Sequence, residues 1–335
     1  MTADRKAWLA RRDGTVILGH GPFVAADRPP ADGIAFYKRD FFSSEEMPWH
    51  IPSQHEIMAA KDFREASGEY LRLDVAWEAP DAIPFSCVFQ EIMTRIRQGM
   101  IEKTVPVVTE RGLVSVSPAA GIMAAMARQQ APLQSYGWVS DADGFAGATP
   151  ELLFSLDGSR LETMALAGTA RLEDEDVFAV DEKEIREHEY VAQTLVSKLL
   201  DLGALRRRGR EVLRLGSIVH FHTGISVDLA APQDTETLLR RLHPTPALGP
   251  LPRTDQTMAA LSGWRSQLGC PAEFGAPFGV WESGRFEAIV AIRGLWWRGN
   301  KISLPAGCGI IEASRLVNEW RELRLKRDAV KRFAG

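Results

Sequence analysis

Four glutamates are the residues in this chain best placed to do chemistry, because they come as two pairs at one spacing. Glu184 and Glu187 lie three apart in the helical stretch Asp181–Leu202, and Glu319 and Glu322 repeat that interval near the C-terminus. Residues at i and i+3 share a helix face, so each pair presents two carboxylates side by side, and Lys326 extends the second face at i+7. That second pair follows a small-residue loop, Pro305-Ala-Gly-Cys-Gly309, which leads into a helix and turns backbone N–H groups toward an anion. A second loop of this kind is Ala167-Gly168-Thr169. Arg293 is embedded in an apolar run, AIVAIRGLWW, and needs an anionic partner, either a structural ion pair or a ligand. Taken alone, the C-terminal helix reads more simply as solvated and amphipathic. Taken together, the glutamates, loops, arginine and lysines suit Mg²⁺, which takes oxygen ligands, bound with a small polyanion.

Two other clusters are weaker. His220 and His222 point to one face of a strand, but zinc needs a third ligand that the neighbouring sequence does not offer. Arg206-Arg-Arg-Gly-Arg210 reads as a charged loop tip rather than a phosphate site.

The elements that must position these residues are legible in outline. Residues 1–80 read as strands and turns, with Thr15–Leu18, Ile34–Tyr37 and Tyr70–Trp77 as strands and Ser43–Pro52 as a loop. Phe85–Met100 is an amphipathic helix, Thr104–Thr109 a strand entered at Lys103, and Gly121–Gln130 a helix. Glu151–Ser155 and Arg160–Ala165 form a hairpin around Asp157-Gly158, with an acidic surface segment at Glu173–Asp176. The helix Asp181–Leu202 is expected to end on Gly203, and Ile218–Leu229 to be a strand. Leu242–Pro252 is too proline-rich for regular structure and suits a rigid loop lining a cavity. Strands at Phe286–Leu295 and Lys301–Pro305 then deliver the chain to a final helix, with Ser314 as its expected cap.

Bulk properties exclude several classes. With 45% hydrophobic and 25% charged residues over 335 positions, the chain has an ordinary globular composition and can bury a sizeable core. A formal net charge of −4 gives no basic field for nucleic acid or an anionic membrane. Cys87, Cys270 and Cys308 are odd in number and far apart, which fits a reducing cytoplasm better than a disulfide framework. No run approaches the ~20 apolar residues of a membrane span. A soluble cytoplasmic protein is expected.

From about Ile83 onward the motifs resemble those of the chorismate-utilising enzymes: isochorismate and salicylate synthases and the large subunits of anthranilate and aminodeoxychorismate synthases. EKTVPVV, TPELLF, LETMALAGTA, EKEIREHEYV, VHFHTG, LHPTPALGPLPR, VAIRG, PAGCGII and NEWRELRLK occur in the family's order. The resemblance implies an α+β fold like the anthranilate synthase large subunit, with large antiparallel sheets packed face to face and helices outside. It implies one chorismate-binding domain over 1–335, of which 83–335 is the family core and 1–80 a short, less distinctive part. By resemblance, Glu187 and Glu322 would bind Mg²⁺ directly, and Glu184 and Glu319 would support it or reach it through water. Arg293 and Lys326 would bind the substrate carboxylates with backbone at Gly168, Thr169 and Gly307, and His220 would lie near the ring. Lys103 matches the proposed general base and Glu151 the proposed general acid. Such a pair suits water attack at C2 with loss of the C4 hydroxyl, provided the lysine pKa is lowered and the carboxyl pKa raised.

Ala167 stands where the aminating members resemble each other in carrying a lysine, which argues against ammonia as nucleophile and against a glutaminase partner. Ala247 stands where salicylate synthases tend to have threonine. The expected activity is therefore that of an isochorismate synthase, serving menaquinone, siderophore or salicylate formation, and the expected state is a monomer. The alternatives are a salicylate synthase and a chorismate-binding module without turnover. The chain departs from the family at Phe274–Val280, at Cys308 where alanine is usual, at Leu323 where threonine often stands, and at His222.

Overall fold

The computed structural model describes residues 4–70 and 72–334. The chain opens with β1 (Lys6–Ala10), β2 (Thr15–Ala26), β3 (Ile34–Lys38) and β4 (Trp49–Ala59), then α1 (Ala60–Ala66) and β5 (Val75–Glu78). Next come α2 (Ala82–Arg97), β6 (Val107–Val114), α3 (Ala119–Met126), β7 (Gln134–Val139) and β8 (Asp143–Thr149). β9 (Leu152–Asp157), β10 (Arg160–Arg171), α4 (Glu175–Phe178) and α5 (Glu182–Leu199) lead to β11 (Gly203–Arg207), β12 (Glu211–Leu215) and β13 (Ile218–Leu229). The last third holds α6 (Thr235–Leu242), α7 (Asp255–Gln267), β14 (Pro277–Glu282), β15 (Arg285–Val290), β16 (Gly294–Arg298), β17 (Lys301–Gly307) and α8 (Leu316–Ala334).

Every strand pair among the described residues is antiparallel, and the pairs form one continuous ribbon. Its order is β5–β6–β17–β16–β8–β7–β1–β2–β4–β3–β14–β15–β9–β10–β13. β12 and β11 share the far edge of β13. The ribbon doubles back on itself, so that the rings of Tyr136 on β7 and Phe145 on β8 lie 6.0 and 5.7 Å from Phe278 on β14. The fold is thus α+β, with antiparallel sheet packed on antiparallel sheet.

Alternation along the strands divides the interior. Ala7, Leu9, Ile17, Phe145 and Trp296 point into the core between the two halves, while Trp8, Val16, Leu18, Ala146 and Trp297 point into a second core under α1 and α3. Successive side chains of a strand face opposite ways, so a strand covered on both faces reads as a nearly unbroken apolar run. α5 packs against β10 and β13, and α8 against β17 and β10, which brings the two glutamate-bearing helices to the same end of the ribbon.

Several boundaries differ from the sequence reading, each for a local reason. The run Phe286–Leu295 is two strands, interrupted at Ala291–Arg293, where Arg293 takes φ +57°. The strand expected at Thr104 starts at Val107, because Lys103 and Thr104 make single bridges to Leu251 and Ile310 instead. Ser314 accepts the Ile311 N–H at 3.1 Å and stitches the turn before α8 rather than capping the helix. Part of the expected loop Ser43–Pro52 belongs to β4, which pairs with β2 and β3. Gly203 begins β11, and α5 ends at Leu199 with Leu200 as its C-cap. The expected strand Tyr70–Trp77 includes Leu71, which lies outside the described residues, and regular strand begins at Val75. Two arginines of the arginine-rich turn are paired, Arg206 with Asp228 at 3.5 Å and Arg207 with Glu189 at 2.7 Å. No helix among the described residues is long and apolar enough to cross a membrane, and the three cysteines are free.

Candidate active site

A cavity of about 630 Å³, including its mouth, opens where β10, β13, β17, α5 and α8 converge. One wall is apolar, formed by Val105, Leu166, Ala247, Leu248, Phe274 and Ile292; the other carries Glu151, Glu187, His220, Arg293 and Lys326. Ala167, Gly168, Thr169, Gly307 and Gly309 bring backbone to its surface. A few placed polar groups on an apolar wall are what a small-molecule site requires.

The β10 loop is shaped by a register shift between Ala167 and Ala170, with Gly168 at φ +76°. A side chain is disfavoured at that φ, and the conformation frees two backbone groups for other work. The Gly168 carbonyl accepts from His220 Nδ1 at 2.6 Å, and the Thr169 N–H donates to Glu184 Oε2 at 2.8 Å. Arg293 Nη2 donates to His220 Nε2 at 2.7 Å. These two contacts assign His220 as the neutral tautomer with its proton on Nδ1. Burial, reinforced by Arg293, holds the imidazole well below its ordinary pKa, in keeping with that assignment. His220 therefore links the β10 loop to the arginine, and His222, bonded to Glu211 at 2.8 Å, takes no part in the cavity. The two histidines do not form a zinc site.

The two glutamate pairs meet, and the residue that joins them is one the sequence reading passed over. Lys183 Nζ lies 2.8 Å from Glu184 Oε1 and 3.2 Å from Glu187 Oε2 on α5, and 3.4 Å from Glu319 Oε1 on α8. Burial opposes its charge, but Glu187, Glu322, Glu319 and Glu184 outweigh burial and hold the ammonium above its ordinary pKa. Glu322 pairs with Lys326 at 2.6 Å, and Lys326 also donates to the Gly307 carbonyl at 2.9 Å. The signal was available, since Lys183 precedes Glu184 and stands four residues before Glu187 on the same helix.

The carboxylates differ in environment. Burial pushes Glu319 up to about 8, with Glu322 adding to it, and Glu184 up to about 7, with Glu187 adding to it. Burial also opposes charge on Glu187, but Lys103, Lys183 and Lys326 bring it down to about 2. Among the described residues no three acidic, histidine or cysteine side chains form a ready metal cage, and Lys183 stands among the glutamates. The donor set nevertheless fits a hard divalent cation: the oxygens are carboxylate, and Glu319 Oε2 is buried without a hydrogen-bond partner. Gly309 makes room for the arrangement, since a Cβ there would stand 1.9 Å from Glu187 Oε1 and 3.0 Å from Lys103 Cε.

Lys103 is fully buried, 3.3 Å from Glu187 Oε1, behind Glu187 and Gly309 and off the cavity wall itself. Burial lowers its pKa, with Glu187 acting in the opposite sense. Glu151, at the entrance to β9, is 5% exposed and is pushed up to about 7 by burial, against Lys103, Lys326 and Arg293. Arg293 is brought down to about 10 by burial, against Glu322 and Glu151. The family departures sort by position. Phe274 lines the cavity, Phe278, Val280 and Leu323 are core, and Cys308 is a buried thiol raised by burial and packed as a small apolar group. Ala247 and Leu248 lie in the proline-rich loop Leu242–Pro252, which does line the cavity, while Val105, Phe274 and Ile292 are further lining residues that the sequence reading did not single out.

Comparison with known proteins identifies the family. The model of the family described as "Chorismate binding enzyme" matches residues 53–333. Isochorismate synthase EntC of Escherichia coli K12 is 30% identical over 270 residues, which cover 73% of this chain and 66% of that protein. Isochorismate synthase MenF of Haemophilus influenzae is 28% identical over 197 residues, covering 54% of this chain and 44% of that protein. The chain thus spans between about two fifths and two thirds of these relatives' lengths. In three dimensions it resembles MenF, the menaquinone-specific isochorismate synthase from Escherichia coli, with TM-score 0.83 at 20% identity, covering 99% of this chain and 89% of that one. It also resembles anthranilate synthase component I from Streptococcus pneumoniae, with TM-score 0.64 at 15% identity, covering 92% and 82%. The ribbon of antiparallel strands is the fold of these structures, and the chain belongs to the chorismate-binding enzyme family.

Proposed function

We propose that the protein is an isochorismate synthase, converting chorismate to isochorismate with Mg²⁺ bound at Glu184, Glu187, Glu319 and Glu322. The observation that carries this reading is Glu151: a buried carboxyl, pushed up to about 7, on a small cavity whose other polar groups include the cations Arg293 and Lys326. Such a carboxyl is protonated often enough at neutral pH to deliver a proton to a leaving hydroxyl. Arg293, oriented by His220, and Lys326, anchored on Gly307, are placed to bind carboxylates of a dianionic substrate. A bound Mg²⁺ supplies charge neutralisation and a fixed point for the ring carboxylate.

In this reading water forms the new C2–O bond and gives its proton to Lys103, which burial favours in the neutral state. The C4–O bond breaks as Glu151 protonates the departing hydroxyl, the ring double bond shifts, and one water is consumed and one released. Glu187, 3.3 Å from Lys103, lines the cavity. Ala167 and Ala247 bring no amine or hydroxyl of their own to the cavity surface.

The test is product analysis by chromatography after incubating purified protein with chorismate, with and without Mg²⁺. Isochorismate as the sole product, formed only with Mg²⁺, is expected. Salicylate plus pyruvate would make it a salicylate synthase, and Mg²⁺-dependent binding without product would make it a non-catalytic module. Lys103→Ala is expected to abolish turnover while chorismate still binds, and unchanged turnover would remove Lys103 as the base.

A further inference from the structure

The position of Lys183 has a consequence for how a cation enters. Its ammonium sits 2.8–3.4 Å from oxygens of Glu184, Glu187 and Glu319, bridging α5 and α8. Mg²⁺ requires oxygens at about 2.0–2.1 Å, so an ammonium and the ion cannot hold these oxygens together. Like charges a few ångström apart in a poorly solvated cluster also repel strongly. Lys183 lies among carboxylates of both helices, with Lys103 3.3 Å from Glu187 and Lys326 2.6 Å from Glu322. Exchanging Lys183 for a divalent ion brings one more positive charge to the carboxylates.

The exchange has somewhere to go. Lys183 lies at the first turn of α5 and borders an open cleft of about 2000 Å³, mouth included, which Asp174 and Asp181 also line. Its flexible four-carbon stem lets the ammonium leave the glutamates for that cleft, where Asp174, Asp181 and Asp328 stand among Arg171, Arg315, Arg321 and Arg324, without moving the helix. Lys103, by contrast, is wholly buried, and Lys326 is held by Gly307 and Glu322. Lys183 is the group among these three that borders the cleft.

We propose that Lys183 is a tethered competitor for the cation: its ammonium and a divalent ion hold the same carboxylates by turns, and the ion enters as the lysine swings out into the cleft. The lysine keeps like-charged glutamates assembled on two helices, and it sets the cation concentration at which the site fills. The inference rests on the reading of these glutamates as the Mg²⁺ site.

Calorimetric titration of Mg²⁺ into the full chain, wild type and Lys183→Met, with and without chorismate, tests it. Apparent affinity scales with the fraction of molecules whose site is open, so removing a competitor present nine-tenths of the time tightens binding about tenfold. Tighter binding by the variant supports the proposal. Equal affinity overturns the competition and leaves the metal reading standing, and no Mg²⁺ binding by either protein overturns both. Should the variant not fold, the wild type suffices. Amine-reactive labelling of Lys183, read by peptide mass spectrometry, is expected to rise severalfold at saturating Mg²⁺. Unchanged labelling there overturns the proposal.

Discussion

At the scale of single residues, burial moves Lys103 and Glu151 in the directions that suit a base and an acid. The lysine is lowered and the carboxyl raised to about 7, because desolvation disfavours whichever form is charged. Glu151 yields a signed prediction. As the acid it must be protonated, so kcat/KM for chorismate is expected to fall as pH rises through about 7. Glu151→Gln is expected to cost about 10²–10⁴ in kcat and to remove that alkaline limb from the residual rate. Stability moves the same way. The folded state holds this proton up to about pH 7 and the unfolded chain releases it near 4.5, so between these values stability falls as pH rises. The shift corresponds to about 3 kcal/mol lost by the wild type across that window. Thermal melts at pH 4.5 and 8 should therefore show a smaller decline for Glu151→Gln than for the wild type. Equal declines would show that Glu151 is not held protonated by the fold.

At the scale of elements, the site is made by places where regular structure gives way: the bulge at Gly168, the break at Arg293 and the loop at Gly309. Gly309 permits Glu187 and Lys103 to close up beneath it, so Gly309→Ala forces the Glu187 carboxylate aside. Displacement by about 1 Å near reacting groups costs on the order of 10²-fold. We expect that loss in kcat with a melting temperature within a few degrees of wild type; unchanged kcat would show that Glu187 can shift without consequence. These irregular points also mark what the sequence did and did not disclose. The helix carrying Glu184 and Glu187 was legible from its apolar period, and Asp181 caps it by accepting the Glu184 N–H at 3.0 Å. Arg293 was conspicuous as a charge in an apolar run, but the run gave no sign of the left-handed residue that splits it, because φ is set by tertiary contacts. Lys183 was missed because, in sequence, a lysine beside glutamates reads as a solvated pair. Its role depends on Glu319, 136 positions away. Leu248 and Phe274 line the cavity only because the fold brings them to the cavity shared with Leu166–Thr169 of β10 and Pro305–Gly307 of β17.

At the scale of the whole molecule, the least distinctive part of the sequence joins the two halves of the ribbon. β1 pairs with β7, β3 pairs with β14, and β2 and β4 complete the path between them, so the first 59 residues are the only strand-to-strand link between β7 and β14 among the described residues. Their apolar residues are deep in the cores: Trp8, Leu9, Ile17, Phe36, Tyr37 and Trp49 are all within 1% of complete burial. Burying each contributes about 1.5–3 kcal/mol, so these six together account for roughly 9–18 kcal/mol. That matches or exceeds the whole net stability of an ordinary domain, about 5–15 kcal/mol. The site itself uses no residue from this segment, yet its geometry depends on β14, β15 and β9 staying in register with β7 and β8, which set Glu151 and Arg293 on the same wall. Deleting residues 1–59 is therefore expected to abolish cooperative folding rather than merely to lower activity. Loss of a sharp thermal transition, with rapid proteolysis throughout the remaining chain, is the expected outcome. A truncated chain that melts cooperatively and still binds chorismate would show instead that residues 60–335 form a self-sufficient core with β1–β4 laid on as an appendage.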